Sequence, residues 1–247
     1  LGAVMEDAAE LGSYLPVSFK SPKEQEYIDF LWGAFETNYS HGKYPFAFLA
    51  YHMLTMSFIY FNIWQIRQNA PDDFAKGLIG FGKDVEKSLL EANSPFVFSV
   101  VNERTILRLL KLIACDNSKI GTYTKLVDDR NNTAHSNGHI YFSTPDTIDA
   151  KVSEILRIVD EIQTHSKPII ERCYSEFLIQ SVDVEGRAYI DPVDQIREEL
   201  IHKNYFSEKD ISYCLNFDLH NLNVTTGIES INELHNILAS LNHEEIS

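Results

Sequence analysis

Residues 44–66 read YPFAFLAYHMLTMSFIYFNIWQI and contain no Asp, Glu, Lys or Arg, in a chain that is 23% charged overall. A run of about 20 apolar residues is long enough to cross a bilayer as a helix. Two features turn this run inward instead. It carries His52, Thr55, Ser57, Asn62 and Gln65 among its aromatic residues, and no second segment of the chain resembles it. A helix that is apolar on every side suits the middle of a bundle or a subunit interface. The run is therefore expected to be the central helix of an all-α fold, with no membrane partner. Its aromatic residues from Phe46 to Trp64 belong in a core or, as the preferred reading, at a dimer interface, where large rings bury the most area. His52 is expected to be a satisfied core group.

Helical periodicity extends outward from this run. Residues 24–39 place Tyr27, Ile28, Leu31, Trp32 and Phe35 three and four apart, one face of a helix, and residues 100–114 do the same with Val101, Ile106, Leu109, Leu110 and Ile113. Residues 120–134 read as a helix, with Gly138 in the segment that ends it. Thr144-Pro145-Asp146 combines a hydroxyl cap, a first-turn proline and an acid near the positive end of the dipole. The stripe from Ile148 through Val152, Ile155, Val159 and Ile162 follows, until Pro168 ends or kinks the helix. Extended structure is expected only at residues 140–142. Residues 181–190 are turn-like in composition, Asp191-Pro192 opens a new helix, and shorter helices follow from Ser207 and after Thr226. The pattern gives an antiparallel helical bundle over residues 1–180 and a small helical C-terminal extension over 181–247.

Bulk properties narrow the function classes. With 247 residues, 44% hydrophobic, and only 11 Gly and 8 Pro, the chain can bury a full core. Cys115, Cys173 and Cys214 are odd in number and form no paired motif, which argues against disulfides or a thiolate zinc site and suits a reducing cytoplasm. The acidic first ten residues do not read as a secretory leader. The net charge of -15 repels polyanions, so nucleic-acid binding would require a local basic patch. One candidate is the set Arg104, Arg108 and Lys111, spaced four and three apart. The C-terminal helices, with Glu198, Glu199, Glu208 and Asp210, are too acidic for DNA and read as a protein-interaction appendage.

The chemically informative segment is Arg130-Asn131-Asn132-Thr133-Ala134-His135. An arginine and a histidine five positions apart near a helix C-terminus are expected on nearly the same face. A guanidinium beside an imidazole can hold a phosphate and move a proton near neutral pH. The bland alternative is a helix end with Arg130 paired to Asp128 or Asp129. Arg197 and His202 repeat the spacing, but Glu198 follows the arginine, and Leu200 and Ile201 read as core. His135 and His139 have a zinc-ligand spacing, yet Gly138 interrupts it and only Asp128 offers a loose third ligand. The remaining histidines, His41, His165, His220, His235 and His243, form no cluster in the sequence.

The segment resembles the HEPN superfamily, whose ribonucleases carry Arg, four to six residues, then His, commonly with a polar residue after the arginine, here Asn131. The resemblance covers about residues 21–177 and implies an antiparallel bundle that acts as a dimer, with Arg and His from both subunits in one cleft. It implies RNA cleavage without metal or cofactor, with tRNA among the candidate substrates. Arg130 would neutralise transition-state charge, His135 would serve as general acid or base, and Asn131 would orient a reacting group. Arg104, Arg108 and Lys111 would track the RNA. A toxin or host-defence role and an antitoxin or other regulatory partner follow from the family. The toxin branch paired with nucleotidyltransferases has a tyrosine two residues after the histidine, where this chain has Asn137. The alternative is a non-catalytic interaction or scaffold protein on the same fold.

Overall fold

The computed structural model describes residues 3–241. Among these residues there is no β-strand, and the architecture is an all-α helical bundle. In chain order the helices are α1 (Ala3–Ala9), α2 (Pro22–Ser40), α3 (Tyr44–Asn69), α4 (Pro71–Gly77), α5 (Lys83–Glu91), α6 (Glu103–Arg108), α7 (Asn117–Ala134), α8 (Pro145–Gln180), α9 (Pro192–Gln195), α10 (Glu208–Leu215) and α11 (Ile228–Ser240).

The uncharged run forms α3, which packs against α2, α4, α7 and α8. By length and composition it is the one described helix able to cross a membrane, yet 83% of its most apolar window is buried by the rest of the chain. Phe48, Tyr51, Phe58, Phe61 and Trp64 are buried in the chain's own core. The preference for a dimer interface is thus corrected, because neighbouring helices already cover these rings. Only Phe46 and Met53, 60% and 42% exposed, remain open on α3 as large hydrophobics. Three of the polar residues in α3 bond back one turn. Thr55 donates to the Tyr51 carbonyl, Ser57 to that of Met53 and Asn62 to that of Phe58, which satisfies buried donors without breaking the helix. His52 and Gln65 instead reach across to other elements.

The caps work largely as the sequence suggests. Ser21 and Glu24 make a reciprocal capping box at α2, and Thr144 caps α8. Three expectations need correction. Pro168 does not end α8, which continues through it to Gln180. A proline removes only one N–H, and buried Ile162, Ser166 and Ile170 anchor the helix on both sides. Residues 100–114 are not one helix. The Asn102 side chain accepts from the Thr105 N–H and starts α6, which tightens into a 3-10 turn at Leu109–Ile113 and stops at Ala114 with φ 63°. Residues 140–142 form no strand. The chain bends there, Phe142 takes φ 51°, and its ring packs on Phe48 at 4.3 Å between centroids.

The C-terminal segment builds a second apolar cluster on the far end of α8. Ile170, Tyr174 and Leu178 pack with Ile196, Leu200, Ile211 and Leu234, so this core begins on α8 ahead of residue 181. Helix α9 continues as a rare π-helix over Ile196–His202. Asp210 locks the junction. Its Oδ1 accepts from Gln163 Nε2 at 2.7 Å, and its Oδ2 accepts from Gln65 Nε2 at 2.9 Å and from the Ser207 N–H at 3.0 Å. Asp210, an acidic surface residue by sequence, is in fact buried, and that burial pushes its carboxyl pKa up. His243 lies outside the described residues.

Candidate functional site

A cavity of about 1290 Å³ lies between the start of α2, the middle of α3, the segment leading into α6, and α7. Such a volume exceeds the ~300–1,000 Å³ usual for a small-ligand pocket. Its wall carries the cations Lys20, Lys23, Arg104 and Arg130, the acids Glu24 and Glu103, and the rings of Tyr27, Tyr60 and Phe96. Cations outnumber acids here, against the sign of the whole chain.

Helix α7 delivers Arg130 and Asn131 to this wall. Asp116 caps the helix by accepting from the Lys119 N–H, and Ile120, Tyr123, Leu126 and Val127 bury its inner face. The Arg130 Nη2 donates to Glu103 Oε2 at 2.9 Å. The same oxygen lies 3.1 Å from His52 Nε2, so the carboxylate of α6 joins a cation of α7 to a histidine of α3. A bond to a carboxylate requires the proton on Nε2. The buried His52 Nδ1 has no hydrogen-bond partner, so this histidine is only half satisfied. Burial by itself would raise the Glu103 carboxyl, but hydrogen bonds and charge from His52 and Arg130 outweigh it and hold the group below its ordinary value.

The other acids settle the pairing question. Asp128 pairs with Arg104 and Asp129 with Lys151, so neither holds Arg130. Glu24 is saturated by the Tyr205 hydroxyl, Ser94 Oγ and the Ser21 N–H. Across the cavity, burial pushes Lys20 down, and its ammonium sits over the Tyr205 ring at 5.0 Å.

A second cavity of about 670 Å³ adjoins the first across Val101 and Asn102, which line both. Arg108 and Lys111 line it, and neither forms an ion pair among the described residues. The expected single helical face of three cations is therefore divided. Arg104 joins Arg130 on the first cavity, while Arg108, one turn further along the same helix, and Lys111 line the second.

His135 lies elsewhere. It is the first residue past α7, extended at φ -89° and ψ 146°, and exposed. Its backbone N–H bonds the Asn131 carbonyl, and its ring lines neither cavity. The expectation of one shared face with Arg130 is corrected, because α7 stops at Ala134 and the chain leaves the helix before His135. Sequence reasoning missed Glu103 as the partner of Arg130 and His52 as the third member. The available signal was a carboxylate directly after the helix-starting Asn102, beside the basic set.

Other candidates resolve simply. Arg197 pairs with Asp194 at 3.1 Å, while Leu200 and Ile201 are fully buried, as read from the sequence. Among the described residues no three His, Cys, Asp or Glu side chains gather as a metal site. All three cysteines are buried, and burial pushes the Cys115 thiol up to about 11 and Cys173 to about 12, which leaves both as thiols at neutral pH. Comparison with protein-family models, curated proteins and solved structures finds no match to this chain.

Proposed function

We propose that this chain is a metal-independent endoribonuclease of the HEPN type. One observation carries the reading. Five of the six residues singled out from sequence, Arg104, Arg108, Lys111, Arg130 and Asn131, lie on two adjoining cavities whose cations oppose the net charge of the chain. A local basic groove is what an acidic protein needs to hold a polyanion. The rings of Tyr27 and Phe96 give unpaired bases a surface to stack on, which favours single-stranded RNA or tRNA loops.

In this reading the groove positions the backbone, and the guanidinium of Arg130 neutralises charge growing on the phosphate. Asn131 contacts the same phosphate. His135 acts as proton donor or acceptor from the end of α7, reaching the phosphate in its own chain or in a second copy, as the dimeric HEPN arrangement implies. The ribose 2′-hydroxyl attacks and the 5′-oxygen leaves, giving a 2′,3′-cyclic phosphate and a 5′-hydroxyl. A toxin or host-defence role in the cytoplasm, held in check by a regulatory protein, rests on the family resemblance.

The test is incubation with total RNA and with tRNA in EDTA, beside Arg130→Ala and His135→Ala. The expected outcome is cleavage by the wild type and loss in both variants. Cleavage that persists in both sinks the site. That His135 lines neither cavity favours a second reading, a groove that binds RNA without cutting it, and salt-sensitive binding with no cleavage by any form would select it.

A further inference from the structure

The wall of the larger cavity contains a proton acceptor that the Arg and His pair does not account for. Both donors of the His52 and Arg130 arrangement converge on one oxygen of Glu103, Oε2, at 3.1 and 2.9 Å. Oε1 has no hydrogen-bond partner among the described residues. The side chain is 18% exposed and belongs to the cavity lining. Two donors on one oxygen fix the plane of a carboxylate, and what remains is an oriented acceptor beside a guanidinium. The other N–H groups of Arg130 make no hydrogen bond to the described residues, so they are free to take a phosphate oxygen while Nη2 stays on Glu103. A phosphate held there brings its neighbouring ribose to the carboxylate.

We infer that Glu103 is the general base of the cleavage proposed above, accepting the proton of the attacking 2′-hydroxyl on Oε1. The assignment rests on that reading of the site. No other group on the wall suits the task. Glu24 has its oxygens occupied, the Lys20 Nζ sits over the Trp64 and Tyr205 rings, a guanidinium offers no acceptor, and burial followed by the charge of Glu103 raises Tyr60 to about 12. The step balances. The 2′-oxygen forms a bond to phosphorus as its proton passes to Glu103, the bond from phosphorus to the 5′-oxygen breaks, and the leaving oxygen takes a proton from His135 in its imidazolium form. Proton exchange with water then restores both groups. His135, away from the cavity wall, is thereby assigned to the leaving-group end.

The charged and titratable groups around Glu103 are His52 and Tyr60 on α3, Arg130 and Asp128 on α7, Arg104 on its own helix, and Lys20, Lys23, Glu24 and Tyr27 across the cavity. Their presence dictates the experiment. An RNA cleaved by the wild type is followed in EDTA from pH 3.5 to 9 with wild type, Glu103→Gln and Glu103→Asp, and with melting curves for each. For Glu103→Gln, kcat is expected to fall on the order of 10²-fold or more with KM little changed, and the acidic limb of the rate profile to vanish. Glu103→Asp is expected to recover part of the rate together with an acidic limb. Equal activity in Glu103→Gln, or a loss that leaves the acidic limb in place, overturns the assignment; the latter marks Glu103 as support for Arg130 or the limb as His52. If Glu103→Gln does not fold, Glu103→Asp decides, because a base changed from Glu to Asp moves the limb and an unmoved limb refutes it. A wild type that cuts no RNA removes the underlying reading, whereas a wild type that cuts and needs Arg130 but not Glu103 removes this inference alone.

Discussion

Two carboxylates tie α3 to its neighbours, and they are built in opposite ways. At Asp210 every oxygen is occupied: Gln163 takes one, and Gln65 and the Ser207 N–H take the other, in a site closed to water. At Glu103 two donors share one oxygen, the second oxygen is open to a cavity, and His52 keeps a nitrogen without a partner. A buried polar network that is fully satisfied rigidifies a fold, while one with unused valences leaves capacity for a ligand. Under the proposed function, the closed site is structural and the open one takes part in the chemistry. Asp210 holds the C-terminal segment against the bundle, and Glu103 and Arg130 face a groove.

The largest expected effect lies on the open side. Arg130→Ala should lower RNA cleavage on the order of 10²–10³-fold, as removal of a charge-stabilising donor does, while the melting temperature moves little. Equal losses of rate and stability would erase the contrast. Next comes Asp210→Ala, which leaves the Gln163 amide and the Ser207 N–H without their acceptor and should cost about 3 kcal/mol in chemical denaturation. Cleavage per folded molecule should be unchanged, and a catalytic loss in folded Asp210→Ala would make the closed network part of the site.

Smaller, but more specific, is the double variant Arg108→Ala and Lys111→Ala. Removal of two phosphate contacts should reduce the slope of log affinity against log salt by roughly 0.7 per contact for single-stranded RNA, with kcat retained at saturation. An unchanged slope would place the RNA off the second cavity. The smallest effect is one of sign. Glu103 is held below its ordinary value, so the stability it contributes is present above pH ~4.5 and is lost as pH falls through its lowered pKa. Asp210 is raised by burial, so its contribution is full below about pH 4 and declines as pH rises through its raised pKa. Unfolding of Glu103→Gln and Asp210→Asn against pH should therefore diverge from wild type in opposite directions. Parallel curves would break the comparison.

Much of the fold was legible because α3 is apolar on all sides and its neighbours repeat at helical spacing. Local signals failed where distant atoms decide. The length of α8 past Pro168 depends on what Ile162 and Ile170 pack against, and two adjoining cavities divide, between Arg104 and Arg108, a basic set that spacing alone would align. The site was half legible. Arg130, Asn131 and the cations are local features of the chain, whereas Glu103 and His52 lie 27 and 78 residues from Arg130 in sequence and meet it only when α3, α6 and α7 pack. The end of α7 at Ala134 was legible, but the extended backbone that His135 takes just past it, which carries its ring off the cavity wall, was not.

The most direct test of the account is the chemistry of the RNA ends. Wild-type protein, Arg130→Ala and Asp210→Ala are incubated with tRNA in EDTA, and the 3′ ends of the fragments are analysed. The account predicts 2′,3′-cyclic phosphate ends from the wild type and from folded Asp210→Ala, and intact RNA with Arg130→Ala. Fragments from Arg130→Ala at the wild-type rate would contradict it.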